Sequence, residues 1–182
     1  MKCILTLLLI SLINCFAQES NNTVLLFSFF RKNGEDGLYL ALSKDGLKWE
    51  ELKPRGSSFL KPEVGGKLMR DPCICQGADG RFHLVWTTGW GKPPVIGYAW
   101  SSNLIDWSEQ KAIPVMSNEP NTRNVWAPEL FYDTHKKQFL IFWASTIPGK
   151  FPETADTGDD GYNHRIYYTT TKDFQNFTPA RL

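Results

Sequence analysis

Sulfur, histidine and net charge are all scarce in this chain, and each shortage excludes something. Its 182 residues include 4 cysteines and 3 histidines. Cys3 and Cys15 flank the apolar N-terminal run, which leaves Cys73 and Cys75. Two residues apart in a strand, these share a face but lie too far apart to bridge well. They read as two small packing side chains, not as a disulfide or a metal pair. Lys and Arg number 20 against 19 Asp and Glu, a formal net charge of +1. That balance lacks the basic footprint of a nucleic-acid binder, and no block of like charges suggests an interaction tail. The longest apolar run, Ile4 to Ile13, is broken only by Thr6 and Ser11. It falls short of the roughly 20 residues that a membrane span needs. No stretch shows the periodicity of an amphipathic helix.

The same apolar run has a different use. Lys2 precedes it, and Cys15-Phe16-Ala17 follows with small residues at the two positions a signal peptidase reads. Residues 1–17 are therefore expected to be a signal peptide, cleaved after Ala17 and directing the protein to the periplasm or the exterior. Lipidation at Cys15 is the rival, and Asn14 fits it poorly. Cleavage removes Lys2 and no acid, so the net charge falls from +1 to 0. What remains is long enough for one core of ordinary size.

What the chain has is a repeat. Ala41-Leu42-Ser43-Lys44-Asp45-Gly46-Leu47-Lys48-Trp49 matches Ala99-Trp100-Ser101-Ser102-Asn103-Leu104-Ile105-Asp106-Trp107, and Thr169 to Phe177 is a third copy. Each has a hydroxyl residue, Asp or Asn two places on, and an aromatic four places later. Such side chains bond nearby backbone and hold a tight turn. β-rich runs precede the turns: Leu38 to Leu40, Ile96 to Tyr98 and Ile166 to Tyr168. Earlier again lie two runs of strand formers, Arg81 to Thr87 and Gln138 to Ala144. Before these, at matching offsets, come Asp71-Pro72-Cys73-Ile74 and Ala127-Pro128-Glu129-Leu130.

Each unit therefore reads as four strands: a Pro-headed inner strand, an apolar second, a third ending in the turn, and an aromatic-led fourth. Repeated four-stranded units are propeller blades. The chain is expected to be an all-β propeller in which 18–52 supply part of one blade, 70–116 a full one and 124–182 another. Propellers close with about four to eight blades, so residues 18–182 are expected to be a partial propeller domain, cut short at the C-terminus.

Inner strands present their first residues to the central channel, which makes Arg70-Asp71-Pro72 and Trp126-Ala127-Pro128-Glu129 the candidate functional segments. A carboxylate there can act as a general base if a second carboxyl faces it. Asp71 and Glu129, each beside a proline, read as acids at the same blade position. Asp before Pro also caps turns without any chemistry. Trp90 and Trp126 are candidates for stacking on a sugar face or for packing between blades. His164, at a strand entrance, is a candidate for a substrate contact or a channel ion such as calcium. No other cofactor is expected. The acids Asp156, Asp159 and Asp160 lack the spacing of a calcium loop and read as a solvated loop.

Met69-Arg70-Asp71-Pro72-Cys73-Ile74, Asp79-Gly80-Arg81-Phe82-His83-Leu84, Trp126-Ala127-Pro128-Glu129-Leu130 and the turn Ser101 to Trp107 together resemble glycoside hydrolase family 43, in motif and in order. The resemblance implies a five-bladed propeller that hydrolyses arabinose-, xylose- or galactose-containing glycans with inversion. The family's general base falls on Asp71, with Arg70, Trp90, Trp126, Glu129 and His164 as substrate-contact candidates. The family's other two acidic groups belong to later blades, past Leu182. Inversion needs two carboxyls about 6.5–9.5 Å apart, so residues 18–182 alone are expected to be inactive. Where the family has Asp in its Trp-Ala-Pro-Asp segment this chain has Glu129, read here as a pocket residue and not a catalytic one.

Two other functions fit less well. Fructan-cleaving family 32 propellers also carry Arg-Asp-Pro, but Asn33-Gly34-Glu35-Asp36-Gly37 does not match their nucleophile strand. A glycan-binding propeller without activity, sialidase-like or lectin-like, is the alternative from another class; Ser43-Lys44-Asp45-Gly46 departs from the sialidase order. Asn21 and Asn176 head N-glycosylation sequons, which matter only in a host that glycosylates exported proteins.

Overall fold

The structure, a computed structural model, describes residues 23–155, 158 and 161–182. The proposed leader, Asn21 and the acids Asp156, Asp159 and Asp160 lie outside the described residues. Ten strands follow one another: β1 (Leu25–Phe29), β2 (Tyr39–Ser43), β3 (Glu50–Glu51), β4 (Arg70–Gln76), β5 (Phe82–Thr87), β6 (Ile96–Ser101), β7 (Lys111–Ile113), β8 (Trp126–Asp133), β9 (Gln138–Ser145) and β10 (Arg165–Thr171). Apart from one short 3₁₀ turn at Pro152–Thr154, no helix occurs among the described residues. The strands form three antiparallel sheets, ordered β1-β2-β3, β4-β5-β6-β7 and β8-β9-β10. They stack as successive propeller blades without closing a ring. The middle blade has all four strands, and bridges from Thr171 to Phe177 and Tyr168 to Arg181 begin a fourth strand on the last. In the first blade β2 carries the turn motif, so β1 stands in the place of the second strand.

The turn chemistry repeats atom for atom. Ser43 Oγ accepts the N–H groups of Asp45 and Gly46, and Asp45 Oδ1 accepts those of Leu47 and Lys48. Ser101 with Asn103, and Thr171 with Asp173, do the same in the other blades. The residue after the Asp or Asn is left-handed in all three copies: Gly46 at φ 74°, Leu104 at 64° and Phe174 at 53°. In the latter two the side chain is pushed toward the preceding blade. Leu104 packs on the cluster shared by the first two blades. Phe174 stacks on Tyr98 at 4.2 Å and on His83 at 4.6 Å.

Alternation in β5 builds two cores from one strand. Leu84 and Trp86, both fully buried, face the first blade with Leu38, Leu40 and Met69. Val85 faces the third blade with Tyr98, Ile141 and Trp143. The middle sheet is thus covered on both faces. The outer faces of the stack keep large apolar groups exposed: Leu25, Phe27 and Trp49 on one side, Phe131 and Ile166 on the other.

Both inner strands break register at their proline. Pairing skips from Arg70 to Cys73 in β4, and from Trp126 to Glu129 in β8. Pro72 and Pro128 sit in these bulges, where no ladder bond needs the N–H that proline lacks. The residues before them, Asp71 at φ 49° and Ala127 at φ 47°, are left-handed.

Two outcomes follow from this packing. A Cβ on Gly97 would fall 1.9 Å from the Trp86 ring, so Gly97→Ala should destabilise the protein by about 1–3 kcal/mol, read by chemical denaturation. Asp173 is held down to about 2, from 3.8, by the N–H and side-chain amide of Asn176 and the N–H of Gln175. A carboxyl depressed on folding stabilises above its unfolded value, and the effect is lost as pH falls through the folded one. Asp173→Asn keeps the acceptor, as Asn103 does naturally, and should flatten the fall of melting temperature between those two values.

Candidate active site

β4 and β8 run side by side in neighbouring blades, and their bulges open the same end of the stack. There the side chain of Thr87, at the end of β5, joins them. Its hydroxyl donates to Asp71 Oδ2 at 2.9 Å and accepts the N–H of Ala127 at 2.8 Å. Thr87 is buried, while Asp71 is half-buried. The carboxylate is thereby fixed from behind and left open in front. Farther along the strands, Ser28 Oγ donates to the Pro72 carbonyl at 2.6 Å, and Cys73 Sγ accepts the Leu130 N–H at 3.3 Å. The inner strand that carries Asp71 is therefore tied to both neighbouring blades.

Beside Asp71 runs a wall of aromatic rings and arginines. The Arg70 guanidinium lies 4.4 Å above the Trp90 ring and 4.8 Å above Phe30. Asn33 Oδ1 accepts from both the Trp90 indole N–H and Arg70. Trp90 meets Trp126 edge-on at 5.6 Å, and Trp126 contacts Tyr162 at 4.6 Å and His164 at 5.3 Å. Arg123 closes the row, 3.8 Å over Tyr162, with a bond to the Gly161 carbonyl. His164 is held at Nδ1 by Thr146. Burial, then the nearby Arg123, lowers its pKa, so its neutral form is favoured at neutral pH.

Of the residues singled out from the sequence, Arg70, Asp71, Trp90, Trp126 and His164 come together at this end. Trp90 is 53% exposed, so packing between blades does not account for it. Glu129 is placed differently. The shared register makes Ala127, not Glu129, the counterpart of Asp71: Glu129 pairs with Phe142 as Cys73 pairs with Val85. It lies exposed in the row with Phe131. Burial first, and then the charge of Glu129, push the Cys73 thiol up to about 12, which makes it an inert packing group.

Thr87, Asn33, Arg123 and Tyr162 were missed. Only Thr87 left a readable trace. The register equates it with Ala144 in the third blade, just as Asp71 equates with Ala127. The repeat departs from itself at the two positions that touch. Among the described residues no group of three or more His, Cys, Asp or Glu side chains could hold a metal ion.

Removing the Thr87 hydroxyl leaves both the carboxylate and the Ala127 N–H short of a partner. Thr87→Val should cost about 1–2 kcal/mol in denaturant unfolding, and Thr87→Ser should recover most of it.

With this geometry in place, comparison with known proteins adds three findings. A family model described as "Probable glycosyl hydrolase domain" matches residues 21–182. An α-L-arabinofuranosidase of Bifidobacterium longum subsp. longum is 21% identical over 186 residues, covering 91% of this chain. The chain spans only 17% of that relative's length. Among solved structures, a Penicillium chrysogenum α-L-arabinanase bound to arabinobiose superposes with a TM-score of 0.51 at 13% identity, over 87% of this chain and 43% of that one. An N-acetylgalactosamine deacetylase from F. plautii, bound to blood group B trisaccharide, gives 0.55 at 16% identity, over 80% and 44%. At such identities the two structures share the fold alone with this chain.

Proposed function

Because the chain belongs to this glycosyl hydrolase family, related to family 43, we propose that the protein it forms is an exported glycosidase. It removes terminal or side-chain arabinose, xylose or galactose from polysaccharides with inversion, using Asp71 as general base. The observation that carries this reading is the difference between two equal bulges. Ala127 holds the same left-handed backbone as Asp71, so the fold does not need the carboxylate. Asp71 is nonetheless present, pinned by Thr87 and open on its other side. A carboxylate held this way beside a wall of Trp90, Trp126 and Tyr162 suits a water that must attack a sugar carbon. The indoles offer apolar faces to the ring's C–H bonds, and Arg70 and His164 offer polar contacts to hydroxyls. In this reading the general acid stands on a later blade, as the resemblance to family 43 implies.

The arabinofuranosidase likeness favours a pentose, and the leader sequence supports export. A glycan-binding propeller without activity would keep the aromatic wall and gain nothing from a pinned carboxylate.

The test uses the intact protein on aryl arabinofuranosides, xylosides and galactosides. Asp71→Asn should lower turnover by about 10²–10⁴-fold, with KM little changed. Proton NMR of the first product should show the anomer opposite to the substrate's. Undiminished turnover in the variant would remove Asp71 from the base role.

A further inference from the structure

The turn end of the blades carries a second concavity that the candidate active site does not use. β4 places Asp71 at its start and leads to Asp79 after its far end, so about 20 Å of strand separates the two regions. There a cleft of about 360 Å³ opens between the second and third blades, with Trp100 and Tyr132 in its lining and Arg81, Lys111, Lys137 and Lys172 around it. Through Lys111, Phe174 and Gln175 it continues into a groove of about 630 Å³ along the rim. Phe177, Ser117 and Thr178 line that extension.

The charges are unbalanced here, although the chain as a whole is nearly neutral. Four cations face two carboxylates, Asp79 and Asp173, a local excess of two. Both carboxylates are already engaged. Asp79 accepts the Arg81 N–H and lies 3.3 Å from His83 Nε2, and Asp173 is saturated by the N–H groups of its own turn. Lys111, Lys137 and Lys172 are exposed and form no ion pair among the described residues. Arg81 rests on the face of Trp100 at 3.9 Å, which fixes its charge at the cleft wall. The four cations ring the cleft and Lys111 alone reaches the rim groove, so the charge suits an anionic segment seated in the cleft with its chain continuing along the rim. The aromatic, amide and hydroxyl lining of the rim groove suits sugar rings.

We propose that this groove is an accessory site for an acidic polysaccharide strand, such as a uronate-bearing glycan, held on the side of the blades away from Asp71. The lysines of the cleft pair with its carboxylates, and the rings and amides of the rim groove take the sugars that follow. Choosing a carbohydrate over another polyanion rests on the glycosidase reading; the electrostatic argument does not.

Calorimetric titration of the intact protein with polygalacturonate, neutral arabinan and polyglutamate tests the assignment. Polygalacturonate should bind, more weakly as salt rises. The exposed triple variant Lys111→Gln, Lys137→Gln, Lys172→Gln should lose about tenfold in affinity while turning over small aryl glycosides normally. No binding of polygalacturonate, equal binding of arabinan or polyglutamate, or an unaffected triple variant would each overturn the proposal. Binding is measured without turnover, so an inactive Asp71 end and an empty groove give separate results.

Discussion

The candidate site depends on a backbone kink. A residue with a side chain pays about 1–2 kcal/mol to enter the left-handed region, and both inner strands do so at the residue before proline. The kink makes room for a proline inside a paired strand. It also turns Asp71 out of the ladder, so that its carboxylate meets the Thr87 hydroxyl and not a neighbouring strand. The same hydroxyl receives the backbone of the next blade's kink. Placement of Asp71 and docking of two blades are thus one interaction, and neither can shift without the other.

Around that point the molecule uses local polar turns to aim apolar groups. The Ser-x-Asp motif saturates its own N–H groups, which lets the following residue adopt positive φ at little further cost. Where that residue is Phe174 or Leu104, its side chain becomes a plug in the preceding blade's core. Gly46 occupies the same position in the first blade and has no plug to offer. The aromatic abundance has two explanations accordingly. Trp86 and Trp143 are fully buried blade packing, and Trp90 is exposed at the open end.

Much of this was legible in the residues. The turn copies ending at Trp49, Trp107 and Phe177 set the blade order, and the strand runs fell within a residue of where β5 and β9 lie. The Pro-headed segments located Asp71. The alignment of Glu129 with Asp71 failed because it matched an acid before the proline to one after it; both strands carry the same bulge, and proline against proline sets Asp71 opposite Ala127. Tyr162 and Arg123 were invisible because they reach the site from loops outside the repeat. Thr87 could have been found by comparing the copies for disagreement and not only for agreement.

Stacked blades touch only their neighbours, and among the described residues the middle sheet is shielded on both faces. The middle sheet lies between two cores, and its strands can exchange amide hydrogens only when a flanking blade has moved away. The first and third blades each have one face against the middle and one carrying exposed Phe27 or Phe131. Asp71 sits on β4, the half-exposed edge of the middle sheet, and takes its fixity from Thr87 at the end of β5, whose residues are buried almost throughout.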